Sequence, residues 1–267
     1  MLSGKNYVAN CTLLYAHEPP LKQAAAAVAD GYRKLEFWWP FDSPVPSNTD
    51  VSTFVDSVKS SGAQVIALNF TLGDSSDGGR GIVSHPQRSA EFAEHLDVVA
   101  AIAEQLGIRR CNVPFGVRRP GCTDEEHRRV AVENLVRASA RLLPLGAVPM
   151  LEPISGAQDY PVETAAQAVD IIEQVEATAG RPGAVGLLAD LYHFAANGED
   201  IEAVLRRHIG RIVHVQVADF PGRHEPGTGG LDIDRYLKLL HALGYRGEVA
   251  LEYIPSLAEQ RRDTCSR

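Results

Sequence analysis

The sequence predicts one α/β domain, a single (β/α)₈ barrel. Three observations carry that expectation. Eight short apolar runs alternate with longer segments of helical period. The turn after the first run, Cys11-Thr12-Leu13-Leu14-Tyr15, lacks the glycine-rich fingerprint usual in open dinucleotide-binding sheets. The length, 267 residues, suits one closed barrel of about 250 residues.

The strand-like runs are Tyr7–Asn10, Lys34–Phe37, Gln64–Phe70, Arg110–Val113, Val148–Glu152, Val185–Asp190, Ile212–Val217 and Glu248–Glu252. Among the intervening helices the clearest carries Phe92, Leu96, Val99, Ala103 and Leu106 on one face, with Gly107 as its stop. Asp124–Leu143, Val162–Ala177 and Ile233–Leu243 are also expected to be helical. The barrel is expected over residues 1–256, with a polar tail at 257–267. Two loops stand out. Thr71–His85 is long and glycine-rich and is expected to act as a lid. Phe220–Gly230 follows the seventh strand, where barrels often hold anions, and its Gly227–Gly230 stretch is a weak phosphate signal.

Lys and Arg number 26 against 34 Asp and Glu, a net charge of −8. That balance argues against nucleic-acid and anionic-membrane partners, which attract basic patches. No apolar run approaches the ~18 residues of a membrane span. Met1–Asn10 has no charged-then-apolar signal pattern, and the four cysteines form no CxxC pair. A cytoplasmic enzyme with a small-molecule substrate is the expectation.

Barrel chemistry sits at the C-terminal ends of strands. Strands five, six, seven and eight end on or near Glu152, Asp190, Gln216 and Glu252. Side chains alternate along a strand, so Met150, Leu188, His214 and Ala250 share the inward face with these four. The outward neighbours, Leu151, Leu187, Ala189, Val213, Val215, Val217 and Leu251, are apolar and suit a helical cover. Three carboxylates on one rim repel one another unless a proton or a cation intervenes. All-oxygen donors favour Mg²⁺ or Mn²⁺.

Other residues near the rim admit two readings. His193, three residues after Asp190, either packs or joins the site. Arg223 is either a solvated loop cation or a bidentate partner for a carboxylate. His224 and Glu225 share its loop. Of Trp38 and Trp39, one is expected to pack and one to wall a pocket. His214 reads as a core histidine, and Cys11 and Cys111 as small buried hydrophobes.

Several stretches together carry a family resemblance. They are LEPIS (Leu151–Ser155), ADLYH (Ala189–His193), HVQVADFPGRHEPGTG (His214–Gly229) and ALEYIP (Ala250–Pro255). Upstream, GGRGIVSHPQRSAEF (Gly79–Phe92) and NVPFG (Asn112–Gly116) belong with them. From about Val8 to Pro255 the chain resembles the hydroxypyruvate isomerase family of xylose isomerase-like barrels. The resemblance implies a divalent metal held by Glu152, Asp190, Gln216 and Glu252. It implies Glu152 and Glu252 as the proton-transfer pair, and His193 and Arg223 as substrate contacts. The implied reaction is a 1,2-hydrogen shift on a small hydroxy-oxo acid, such as hydroxypyruvate to tartronate semialdehyde. Ser155, Gly230 and Ile254 stand where relatives commonly carry Asn, Glu and Lys, so the outer pocket differs while the metal set is intact.

Three rivals share the scaffold. A sugar or sugar-phosphate isomerase or epimerase would use the same metal and glutamates. A dehydratase would use the metal to expel a hydroxyl. A non-catalytic polyol-binding protein would need no paired bases. An endonuclease is disfavoured by the acidic charge and the lack of a histidine-rich zinc set.

Overall fold

A computed structural model describes residues 7–73 and 79–256. Eight parallel strands close in sequence order, β1 to β8, into one barrel. They are β1 (Val8–Asn10), β2 (Lys34–Phe37), β3 (Gln64–Asn69), β4 (Arg110–Asn112), β5 (Val148–Leu151), β6 (Gly186–Asp190), β7 (Ile212–Val217) and β8 (Val249–Leu251). Each falls within a residue or two of its expected run. The helices are α1 (Cys11–Leu14), α2 (Pro20–Ala29), α3 (Asn48–Ser61), α4 (Ser89–Leu106), α5 (Asp124–Leu142), α6 (Ala165–Ala179), α7 (Leu191–Ala196), α8 (Ile201–His208) and α9 (Ile233–Ala242). Residues 257–267, including Cys265, lie outside the described residues.

The helices start where short polar side chains can accept from the free backbone N–H groups. Ser47 with Asp50, Thr123 with Glu126 and Thr164 with Gln167 form capping boxes on α3, α5 and α6. Their apolar faces join the outward strand residues in one large cluster containing Leu151, Leu187, Ala189, Val215, Val217 and Leu251. Two small clusters fill the barrel interior: Val8, Ile66 and Ala250; and Ala67, Met150 and Leu188. The inward and outward sets expected from alternation are therefore separated by the sheet itself, with one correction: Val213, expected to face the helices, lies at the register shift between β6 and β7 and packs against Ala67, Met150 and Leu188. Cys11 and Cys111 are buried as small hydrophobes.

The loop after β3 is partly built into the body of the protein. Ile82, Val83, Ser84 and His85 are buried in the wall. The expected lid, Thr71–His85, includes these buried residues, and its residues 74–78 lie outside the described residues.

Candidate active site

The polar groups gather at the C-terminal mouth of the barrel. Asp190 ends β6 and pairs in register with Gln216 of β7. Glu152 and Glu252 follow β5 and β8 directly, and the Glu252 N–H still donates to the Val217 carbonyl at 3.1 Å. All four side chains belong to buried residues.

Each carboxylate has one oxygen held by a neutral donor and one left for the centre. Asn112 Nδ2 donates to Glu152 Oε2 at 2.7 Å, leaving Oε1. Asp190 Oδ1 caps α7 by accepting from Tyr192 N at 2.9 Å, leaving Oδ2. Trp38 Nε1 and Asn10 Nδ2 donate to Glu252 Oε1 at 2.7 and 3.0 Å, leaving Oε2. Gln216 follows the same pattern: its Nε2 donates to Glu36 Oε1 at 2.8 Å, while its buried Oε1 has no hydrogen-bond partner. An orphaned buried amide oxygen needs an explanation. With Asp190 in register on the neighbouring strand, a hard divalent cation would supply one.

His193 and Arg223 lie among these oxygens. His193 Nε2 is 3.7 Å from Glu152 Oε1 and 3.6 Å from Asp190 Oδ2. Glu152, Asp190 and His193 could also hold an ion between them by proximity alone. The other face of the ring argues for a donor role instead. Ser155 N donates to His193 Nδ1 at 3.0 Å, and Ser155 Oγ lies 2.7 Å from the same nitrogen. A backbone N–H can only donate, so the neutral ring carries its proton on Nε2, facing the site. Burial pushes His193 down to about 4, against the pull of Asp190, so the ring is neutral at pH 7.

Arg223 Nη2 donates to Glu252 Oε2 at 2.6 Å and to Asp190 Oδ2 at 3.4 Å, and its guanidinium lies 5.1 Å from the Tyr192 ring centroid. The expected carboxylate clamp is thus turned onto the protein's own acids. One guanidinium for three buried carboxylates leaves excess negative charge. Burial, then Asp190, raises Glu152 to about 8, and burial with Glu152 and Asp190 raises Glu252 as well, with Arg223 opposing.

Sequence reasoning missed the ring beneath. Buried Glu36 accepts from Asn10, Gln216 and His214, the last at 2.7 Å through Nε2. His214 is therefore buried as expected, but as a polar support for Glu36. A carboxylate at an inward position of the apolar run Leu35-Glu36-Phe37 was the available signal. Trp38 is the tryptophan that walls the site, while Trp39 packs edge-on against His95 and Phe41.

The strand-seven loop is an internal anion site rather than an external one. The Asp219 carboxylate accepts from the N–H groups of Phe220, Gly227 and Leu231 at 2.9, 2.7 and 3.0 Å. A Cβ at Gly229 would lie 2.5 Å from Asp219 Oδ1, so only glycine fits. The Gly227–Gly230 stretch wraps Asp219, and that corrects its phosphate reading. The bonds that close this loop also hold Arg223 in place: its N–H donates to the Asp219 carbonyl, and its carbonyl accepts from Ile254 N.

Comparison with known proteins follows the same lines. Residues 24–264 match the family described as xylose isomerase-like TIM barrel. A putative hydroxypyruvate isomerase of Streptomyces coelicolor is 36% identical, covering 95% of this chain and 92% of its own. A 2-oxo-tetronate isomerase of Haemophilus influenzae is 26% identical over 93% of both chains. Among solved structures, a Brucella melitensis protein described as a family 2 AP endonuclease superposes with a TM-score of 0.83 at 25% identity, covering 98% of this chain and 99% of that one.

Proposed function

The chain belongs to the xylose isomerase-like TIM barrel family and is an isomerase, and from that premise we propose a metal-dependent 1,2-hydrogen shift on a small hydroxy-oxo acid, hydroxypyruvate to tartronate semialdehyde. One observation carries the reading. Glu152 Oε1, Asp190 Oδ2, Gln216 Oε1 and Glu252 Oε2 are the four oxygens that take no bond from a neutral donor, the Asp190 and Glu252 oxygens being met by the Arg223 guanidinium. These four residues are assigned as the ligands of Mg²⁺ or Mn²⁺. When bound, the cation acts as a Lewis acid that stabilises negative charge developing on the substrate oxygens.

The chain's own residues do the rest. Glu152 and Glu252 stand three strands apart around the ring and take the two proton-transfer roles. One glutamate removes a proton from C3 of hydroxypyruvate, beside the C2 carbonyl. The other delivers a proton to C2, while the hydroxyl proton passes from O3 to O2. His193 donates through Nε2 to a substrate oxygen. Arg223 donates to the substrate at the reacting end and orients Glu252. Trp38 fixes the other Glu252 oxygen and walls the pocket.

A turnover screen tests this reading. Hydroxypyruvate, longer 2-oxo acids, ketoses and ketose phosphates are supplied with Mg²⁺ or Mn²⁺. The reading expects a hydroxy-oxo acid to give the highest kcat/KM. A preference for a ketose or its phosphate would favour the sugar isomerase or epimerase alternative. Tight binding of a polyol with no turnover of any compound would favour the binding-protein alternative.

A further inference from the structure

A second arginine borders the mouth and takes no part in the network above. Arg80 is half-buried and has a left-handed backbone, φ 71°. Among the described residues only Asp159 and Arg223 share that conformation without being glycine. Such a conformation is unfavourable for a residue with a Cβ and persists only when its surroundings impose it. Here the loop after β4 imposes it. Gly116 N donates to the Arg80 carbonyl at 2.9 Å. The next residue, Gly81, sits so close that a Cβ would lie 1.9 Å from the Pro114 carbonyl oxygen. Gly81 N in turn donates to the Leu72 carbonyl at 2.8 Å.

That pinned backbone places Arg80 on the Glu152 side of the site. The same loop presents Phe115 N to the Tyr160 hydroxyl at 3.0 Å, and that hydroxyl reaches the Glu152 carbonyl at 3.3 Å. The Arg80 charge is felt at both Tyr160 and His193. Yet among the described residues the Arg80 guanidinium has no carboxylate partner. Arg223, on the other side, already holds Glu252 and Asp190. A half-buried fork of donors with no counter-ion among the described residues, whose charge reaches His193 at the mouth, is matched by a ligand carboxylate.

We propose that Arg80 is the specificity residue that binds the substrate carboxylate, so that the acid group points to the β3–β4 side of the mouth while Arg223 serves the reacting carbons. The assignment rests on the isomerase reading of this site and adds the substrate's orientation in it.

The test compares wild type, Arg80→Gln, Arg80→Lys and Arg223→Gln with Mg²⁺ present. Binding of tartronate, a hydroxy-diacid without a carbonyl to isomerise, and of dihydroxyacetone, a hydroxyketone without a carboxylate, is measured by calorimetry. Arg80→Gln is expected to weaken tartronate about tenfold or more and to leave dihydroxyacetone within about twofold. Arg80→Lys, which keeps the charge and loses the fork, should fall between, and it serves as the informative variant if Arg80→Gln does not fold. Arg223→Gln should alter both ligands. The proposal is overturned if the Arg80 variants bind tartronate as wild type does, if they weaken both ligands equally, or if wild type does not bind tartronate. Hydroxypyruvate turnover by wild type separates the two ideas. Arg80-dependent tartronate binding without turnover would sink the isomerase reading alone. Turnover with an indifferent Arg80 would sink the carboxylate anchor alone.

Discussion

At the scale of single residues, the site is a set of acids whose excess charge is only partly answered. Burial and neighbouring carboxylates raise Glu152 to about 8, so the metal-free fold retains a proton there at pH 7. The sign of the linkage follows. A carboxylate whose folded value lies above its unfolded value contributes stability that is full below the ordinary carboxylate range and is lost as pH rises through the folded value. Metal-free protein, kept in chelator, should therefore lose the stability this group contributes progressively between about pH 4.5 and pH 8 and level off above, and Glu152→Gln should flatten that decline. A bound cation displaces the proton, so Mg²⁺ or Mn²⁺ affinity should rise with pH over the same window, with proton release visible by calorimetry in buffers of different ionisation enthalpy. A wild-type stability profile that stays level between those limits would contradict the protonated state.

Among the elements, the loop between β7 and α9 has the clearest design. Its glycines serve a carboxylate of the chain itself, and its closure fixes Arg223 over Tyr192. Asp219→Ala leaves three backbone N–H groups without their acceptor and is expected to destabilise the protein by about 2–3 kcal/mol. Because the loop positions Arg223, kcat/KM should fall further than the stability loss explains when measured well below the melting temperature. Asp219→Asn retains an Oδ1 that can accept from Phe220 and Leu231 and loses the bond from Gly227, so it should recover part of both effects. Thermal unfolding with steady-state kinetics on the two variants checks this. Equal activity in wild type and Asp219→Ala would separate the loop from the site.

For the whole molecule, the barrel was legible because its strands are short, apolar and separated by helical period, and eight of them close without a glycine-rich first turn. The site was legible where a carboxylate ends an apolar run, as at Glu152, Asp190 and Glu252. Asn10 and Asn112 were not, because a neutral amide at a strand end looks like any turn residue. Glu36 was passed over inside its strand, since only closure of the barrel brings it under Gln216, strands away in sequence. Asp219 and Arg80 owe their places to backbone geometry that no side-chain pattern announces. The central claim is that Glu152 and Glu252 move protons on neighbouring carbons of a hydroxy-oxo acid. Its most direct test is deuterium exchange: hydroxypyruvate is incubated in D₂O with Mn²⁺ and wild type, Glu152→Gln or Glu252→Gln, and isotope at C3 and at C2 of the product is followed by NMR. The account predicts solvent deuterium in both positions with wild type and a loss of about 10²–10⁴-fold in exchange with either variant. No exchange with wild type, or exchange undiminished in both variants, would contradict it.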